Sequence, residues 1–317
     1  MSLRIGRIAY LNVAPYFHYL AKQGFSGEIV AGVPSELNSM LADGAIDACP
    51  SSSYEYALRA DDYLLLPGHS ISSIGPVHSV LLFTPGPLND LPGQEIAITG
   101  ESATSINLLK VMLMEFCRIG ESSFKVPDRT VEACLQDGQS ALLIGDRALN
   151  AARNCPPGVQ ITDLGALWYH FTGLPFVFAL WILRREAVEK FPGDVSVLAE
   201  QLKASRDYAF GHLPDMAAQL SARTGFSAAH LEDYWRGISY DLTDGHIEGL
   251  RLYFALCHKH GLLEKEPDFH FFTARTARAV RLVAERPLGV ISGRVVDGDF
   301  FSSIYDNKLL FIKICNI

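Results

Sequence analysis

The chain has 317 residues, 49% of them hydrophobic and 20% charged, the balance of an ordinary globular protein long enough for two lobes with a core in each. A formal net charge of −8 and a pI near 5.7 argue against nucleic acid as a main partner. No apolar run approaches the roughly 20 residues that cross a bilayer, so no membrane partner is expected either.

The six cysteines, Cys49, Cys117, Cys134, Cys155, Cys257 and Cys315, are scattered, with no C-x-x-C pair. They read as reduced thiols, and the sequence calls for no metal and no cofactor. The first residues lack a basic region, an apolar stretch and a small-residue cleavage site, so a cytoplasmic location is expected.

In chain order, an apolar strand with Ile5, Ile8 and Leu11 runs into a polar turn at Asn12, and Pro15 opens a helix over Tyr16–Lys22. A strand that ends at a helix N-terminus leaves free N–H groups, which suit a carboxylate or phosphate. A strand at Glu28–Gly32, a helix at Pro34–Asp43 and a strand at Ala45–Cys49 follow, then Pro50-Ser51-Ser52-Ser53 and a helix over Tyr54–Ala60. Such alternation implies a mostly parallel sheet covered by helices. Tyr63–Leu66 and Val77–Phe83 read as further strands, and the breaker-rich Thr84–Pro92 as a crossing between lobes.

The pattern then restarts: a strand at Glu95–Thr99, a turn through Ser102-Ala-Thr104-Ser105, and a helix at Ile106–Phe116. A strand at Ala141–Ile144 leads to Gly145-Asp146 and another helix, and the apolar Leu174–Leu183 reads as buried core. Residues 185–262 carry helical periodicity at Asp194–Phe210, Pro214–Thr224, Ala228–Gly237 and His246–His260. The reading is therefore α/β, with lobe 1 from 1–84 and about 180–268, lobe 2 from 85–179, and a tail at 269–317.

Four turns share one position, after a strand and before a helix: Asn12–Pro15, Ser51–Ser53, Ser102–Ser105 and Gly145-Asp146. In open α/β sheets ligands bind beyond the carboxyl ends of the strands, so these turns can converge on one cleft. Ser, Thr and Asn before helices are also common N-caps, and both readings stand for each residue. No G-x-S-x-G, G-x-G-x-x-G or G-x-x-x-x-G-K-[ST] follows a strand, which disfavours serine hydrolysis and the usual nucleotide sites. His78 is either a functional residue or a partly buried polar one. Trp168–Phe171 is either an aromatic cleft wall or core packing.

Taken in order, Ile5-Gly-Arg-Ile-Ala-Tyr-Leu-Asn12-Val-Ala-Pro15, Val33-Pro-Ser-Glu-Leu37, Ile46-Asp-Ala48 with Pro50-Ser-Ser52, and Gly75-Pro-Val-His-Ser79 make up the first half of a pattern. Glu101-Ser-Ala-Thr-Ser105, Leu143-Ile-Gly-Asp146-Arg-Ala148, Thr172-Gly-Leu-Pro-Phe-Val-Phe-Ala179 and Ile238-Ser-Tyr-Asp-Leu242 complete it. The set resembles the chorismate dehydratases of the futalosine route to menaquinone, over about residues 4–265. The resemblance implies a two-lobed fold like the type II periplasmic binding proteins, working inside the cell. It implies chorismate as small-molecule substrate and its dehydration to 3-[(1-carboxyvinyl)oxy]benzoate. A sister family that makes 1,4-dihydroxy-6-naphthoate shares the fold but opens on a different, Ser-Pro-Cys-Pro-Asn-Asp-like motif. A non-catalytic binding protein is the rival from another class.

On this resemblance Asn12 and Ser79 are the expected catalytic residues, as donors near the reacting ring and the leaving hydroxyl. Tyr10, Ser51, Ser52, His78, Ser102, Thr104, Ser105 and Asp146 are the expected substrate contacts. None of the matched turns offers an obvious base apart from His78, which leaves the substrate's own enolpyruvyl carboxylate as the other candidate.

Overall fold

The computed structural model describes residues 2–273 apart from Pro92 and Glu121, so the Arg-rich and apolar remainder of the tail lies outside the described residues. Ten strands are present among them: β1 Arg4–Ile8, β2 Glu28–Gly32, β3 Ala48–Ser52, β4 Tyr63–Ser73, β5 Val80–Thr84, β6 Glu95–Ile98, β7 Ser123–Lys125, β8 Ala141–Ile144, β9 Gln160–Asp163 and β10 Phe176–Arg184. They form two sheets of five, in the orders β2-β1-β3-β10-β4 and β7-β6-β8-β5-β9.

The two sheets are built alike. In the first, β1 pairs in parallel with β2 and β3, and β10 lies antiparallel between β3 and β4. In the second, β6 pairs in parallel with β7 and β8, and β5 lies antiparallel between β8 and β9. The inserted strand has a reason in composition. Phe176–Arg184 is almost continuously apolar and buried along its length, as a strand covered on both faces requires.

The changeover between sheets departs from the boundaries read from the sequence, by a whole strand at the first crossing and by the first few residues of β10 at the second. β5 belongs to the second sheet and β10 to the first. The breaker-rich Thr84–Pro92 therefore connects two strands of one sheet, and the chain passes between sheets at residues 74–79 instead. There Gly75 and His78 both take positive φ, and the Asp163 carboxylate accepts the N–H groups of Val77 and His78 at 2.7–3.1 Å. The tail also departs from expectation at its start. Leu65 N–H donates to His270 O, Phe272 N–H donates to Leu65 O, and Phe269 stacks on Tyr56, so residues 269–272 lie along the β4 edge of the first sheet.

Other elements differ in their ends. The strand read at Ala45–Cys49 begins at Ala48, because the N–H groups of Ala45 and Ile46 are used to close the preceding helix on Met40 O. Ser51 and Ser52 are thus strand residues rather than loop. The helix read over Tyr16–Lys22 is one short turn, Ala14–Phe17, followed by a 3-10 turn at Ala21–Gln23. Tyr16 and Phe17 pack against Trp181 at ring separations of 5.5 and 5.7 Å. Trp168 is fully buried and meets Phe176 and Tyr253 edge-on at 5.2 and 6.3 Å, so it is core and not cleft wall.

The helices after β10, at Pro192–Gly211, Leu213–Thr224, Ala228–Gly237 and Asp244–Lys259, follow the sequence periodicity closely. The last is held tightly against the strand entering the first sheet: a Cβ at Gly249 would lie 2.1 Å from Pro175 O. Backbone cannot yield there as a flexible side chain would. Gly249→Ala should therefore destabilise the fold by about 1–3 kcal/mol, seen as a lowered Tm in thermal unfolding, and an unchanged Tm would contradict this packing.

Candidate active site

The site begins with the 3-10 turn Leu11–Val13, which carries the chain off β1. Its backbone is pinned from three directions. Leu11 N–H donates to Asp146 Oδ1 at 2.9 Å, Trp235 Nε1 donates to Leu11 O at 2.8 Å, and Tyr240 O–H donates to Asn12 O at 2.8 Å. The Asn12 side chain is left facing a cavity of about 50 Å3. Its Oδ1 is buried and has no hydrogen-bond partner among the described residues.

Six of the residues expected from sequence line that cavity: Tyr10, Asn12, Ser52, Ser79, Ser102 and Ser105. Apolar side chains from both sheets, among them Ile71, Val80, Ile144 and Phe178, supply most of the remaining wall. Two serines serve as caps and as lining at once. Ser52 Oγ accepts from Glu55 N–H at 3.2 Å, and Ser102 Oγ accepts from Ser105 N–H at 3.3 Å. The two readings of these turns were not exclusive. Ser79 is buried; its Oγ accepts the Tyr234 O–H at 2.9 Å, and its own O–H donates to Val77 O at 3.4 Å.

Four expected contacts are placed elsewhere. Ser51 is buried in β3, paired with Leu180, and does not line the cavity. Thr104 Oγ1 accepts Tyr54 N–H at 3.0 Å and joins the start of the helix Ala103–Val111 to that of Ser53–Leu58. His78 is exposed and lines a separate cavity of about 550 Å3 with His230, Arg153 and Asp233. Asp146 lies behind the Leu11 backbone and faces an outer groove.

Tyr10 closes one side. Its ring lies flat on Gly145, where a Cβ would come within 2.9 Å of three ring carbons. Gly145 also has φ +59°, a left-handed conformation that favours glycine. The Tyr10 hydroxyl donates to Glu101 Oε2 at 2.5 Å; Arg147 holds Glu101 Oε1 at 2.9 Å and is itself gripped by Glu132 at 2.7 and 2.8 Å. Burial first, then the bond to Glu101, push the Tyr10 phenol far above its ordinary pKa. Glu101, Arg147, Tyr234, Trp235 and Tyr240 are functional neighbours that the sequence reading passed over. Glu101, Arg147 and Tyr240 stood inside quoted motifs, and nothing local marked any of them.

Among the described residues, no cationic side chain, carboxylate or imidazole lines the inner cavity, and the polar chemistry they bring to it is that of neutral donors and acceptors. Among the described residues, no group of three or more His, Cys, Asp or Glu is placed to hold a metal ion, and the five cysteines there are free thiols. No described helix is long and apolar enough to cross a membrane.

The fold is that of the periplasmic binding proteins. The aliphatic sulphonate binding protein of Escherichia coli superposes with a TM-score of 0.60 at 15% identity, covering 94% of this chain and 98% of that one. The family follows from sequence. A model of the menaquinone biosynthesis family matches residues 3–259, and the chain belongs to that family. A chorismate dehydratase of Thermus thermophilus is 34% identical over 78% of this chain and 93% of its own length. A 1,4-dihydroxy-6-naphthoate synthase of the same organism is 26% identical over 84% of this chain and 97% of its own.

Burial raises the Asp146 carboxyl to about 6, offset in part by the Leu11 N–H. A folded pKa above the unfolded one means that the stability this group confers is present at acid pH and lost as pH rises through about 6. Asp146→Asn keeps an acceptor for Leu11 and removes the titration. It should match the native chain near pH 4 and exceed it by about 3 kcal/mol at pH 8 in denaturant unfolding. A stability difference independent of pH would refute the assignment.

Proposed function

We propose that the chain is a chorismate dehydratase, a hydro-lyase that converts chorismate to 3-[(1-carboxyvinyl)oxy]benzoate and water. The observation that carries the reading is the inner cavity, where Asn12, Ser52, Ser79, Ser102 and Ser105 converge between apolar walls. We take each sheet with its helices as one lobe, so that the cavity is an interlobe cleft. The greater identity to the dehydratase than to the naphthoate synthase, and the opening Tyr10-Leu-Asn12-Val-Ala-Pro15, favour this substrate.

The reaction suits such a site. The hydrogen on the ring carbon bearing the enolpyruvyl ether is vinylogous to the ring carboxylate. Its removal spreads charge into that carboxylate, and loss of the neighbouring hydroxide then makes the ring aromatic. Oriented neutral donors stabilise the spreading charge without reorganising, and one such donor is worth roughly 3–4 kcal/mol. The helix Ala103–Val111 directs its first N–H groups toward the Ser102–Ser105 corner, a place for a carboxylate. Asn12 orients the reacting ring, with its unpartnered Oδ1 free to accept from the substrate hydroxyl. Tyr234 donates to Ser79 Oγ, and the Ser79 hydroxyl turns from its long 3.4 Å bond to Val77 O to donate to the departing hydroxide.

The lining offers no general base, and His78 faces a different cavity. The substrate's enolpyruvyl carboxylate is therefore the base we assign, its high effective concentration set by folding over the ring. At about 50 Å3 the cavity is far below the roughly 300 Å3 of small-molecule sites, so the lobes part to admit the substrate.

Purified protein incubated with chorismate should yield a product lighter by one water, followed by mass and by ring absorbance; no product would refute the dehydratase reading. Asn12→Ala and Ser79→Ala should each lower kcat by about 10²–10³ while chorismate affinity changes far less. Equal losses in kcat and affinity would remove their catalytic roles. His78→Ala should keep its turnover; its loss in a folded variant would replace the substrate base by a protein one.

A further inference from the structure

The Tyr10 wall has a second side. A groove of about 350 Å3 lies there, and Ile8 and Tyr10 line both it and the inner cavity, so one layer of side chains separates the two. Arg7 from β1, His18, and Arg223 from the last turn of the helix Leu213–Thr224 also line the groove. Among the described residues, neither Arg7 nor Arg223 has a carboxylate or hydrogen-bond partner, whereas Arg4, Arg59, Arg147, Arg206 and Arg236 are all paired. The one carboxylate lining the groove, Asp146, is tied to Leu11 N–H.

We propose that this groove is a second anion site, where a small dicarboxylate is collected before it passes Tyr10 into the inner cavity. The identity of that dicarboxylate as chorismate rests on the dehydratase reading; the site itself does not. The argument is one of charge and reach. A chain of net charge −8 repels a dianion at long range, and among the described residues no cationic side chain lines the inner cavity to counter this. Neutral donors act only at contact. Two guanidinium groups on an open groove act over a screening length of about 8 Å at physiological salt and raise the local concentration of anions. They stand beside the wall that must move, since Tyr10 seals the cavity by its contact with Gly145 and its bond to Glu101.

The test is stopped-flow tryptophan fluorescence on the full chain, with Trp235 bonded to Leu11 as reporter, using chorismate and, separately, benzene-1,3-dicarboxylate as ligands. In low salt the double variant Arg7→Gln/Arg223→Gln should associate with either ligand about tenfold more slowly, with little change in dissociation rate or in kcat. The gap should close in about 0.5 M sodium chloride. Arg236→Gln, an exposed arginine paired with Glu232 and absent from the groove lining, serves as the charge control and should show no such loss. An unchanged association rate in the double variant, an equal loss in Arg236→Gln, or a parallel fall in kcat would each overturn the proposal. If chorismate is inert with the native chain, the dehydratase reading falls and the dicarboxylate arm alone decides the groove.

Discussion

The site depends on three hydrogen bonds that hold the backbone of Leu11 and Asn12. A single 3-10 turn leaves most of its peptide groups without partners of their own, and a buried one left unpaired costs about 1–3 kcal/mol. Here the partners are Asp146 from the second sheet's helix and Trp235 and Tyr240 from the helical return. Tyr240 is itself fixed, since Tyr16 donates to its carbonyl at 2.8 Å. The place of Asn12 is thus set jointly by segments more than two hundred residues apart. The turn contributes the side chain, and the rest of the fold contributes its aim.

That aim matters because the inner cavity works without fixed charge. A charged group enclosed by Ile71, Val80, Ile144 and Phe178 would carry a large desolvation cost unless paired, and pairing would spend its field on the partner. Hydroxyl and amide dipoles avoid the cost, provided each is oriented. Orientation is what the surrounding bonds supply: Ser52 and Ser102 are steadied as caps, and Ser79 is steadied by Tyr234. The structural and functional readings of these serines converge, because a side chain that caps a helix at a strand end is already held where a ligand comes.

What the sequence made legible was local. Strand and helix alternation, the serine turns and the Asn12 corner all follow from hydrophobic period and cap chemistry, and the cavity gathers six of the expected residues. Pairing across the chain was not legible. That β5 and β10 exchange sheets is decided by partners far away in sequence, and no period encodes it. His78 and Ser79 show the same limit at the scale of one residue. His78 takes a left-handed φ of +62° just before β5, and it lines the outer cavity while Ser79 lines the inner one, a turn conformation that no hydrophobic period encodes. Tyr234 and Trp235 fall within the helical period Ala228–Gly237, and nothing near them in sequence states that their polar tips reach Ser79 and Leu11.

The same reasoning explains why position 10 holds a tyrosine and position 145 a glycine. Tyr10 is part of the layer between the inner cavity and the outer groove, and the proposed passage of a ligand requires it to seal and yet release. A phenylalanine ring would fill the contact with Gly145 but leave the Glu101 carboxylate without its phenol donor. A residue with a Cβ at 145 would push the ring off its seat. The bond to Glu101 is charge-assisted, worth about 1.5–3 kcal/mol in proteins, enough to favour the shut state and little enough to break thermally. Arg147 bonds Glu101 directly and is braced by Glu132, so the acceptor of the Tyr10 phenol is held in place. A weaker latch would let water into a cavity whose neutral donors need its absence, and a stronger one would make opening the slow step.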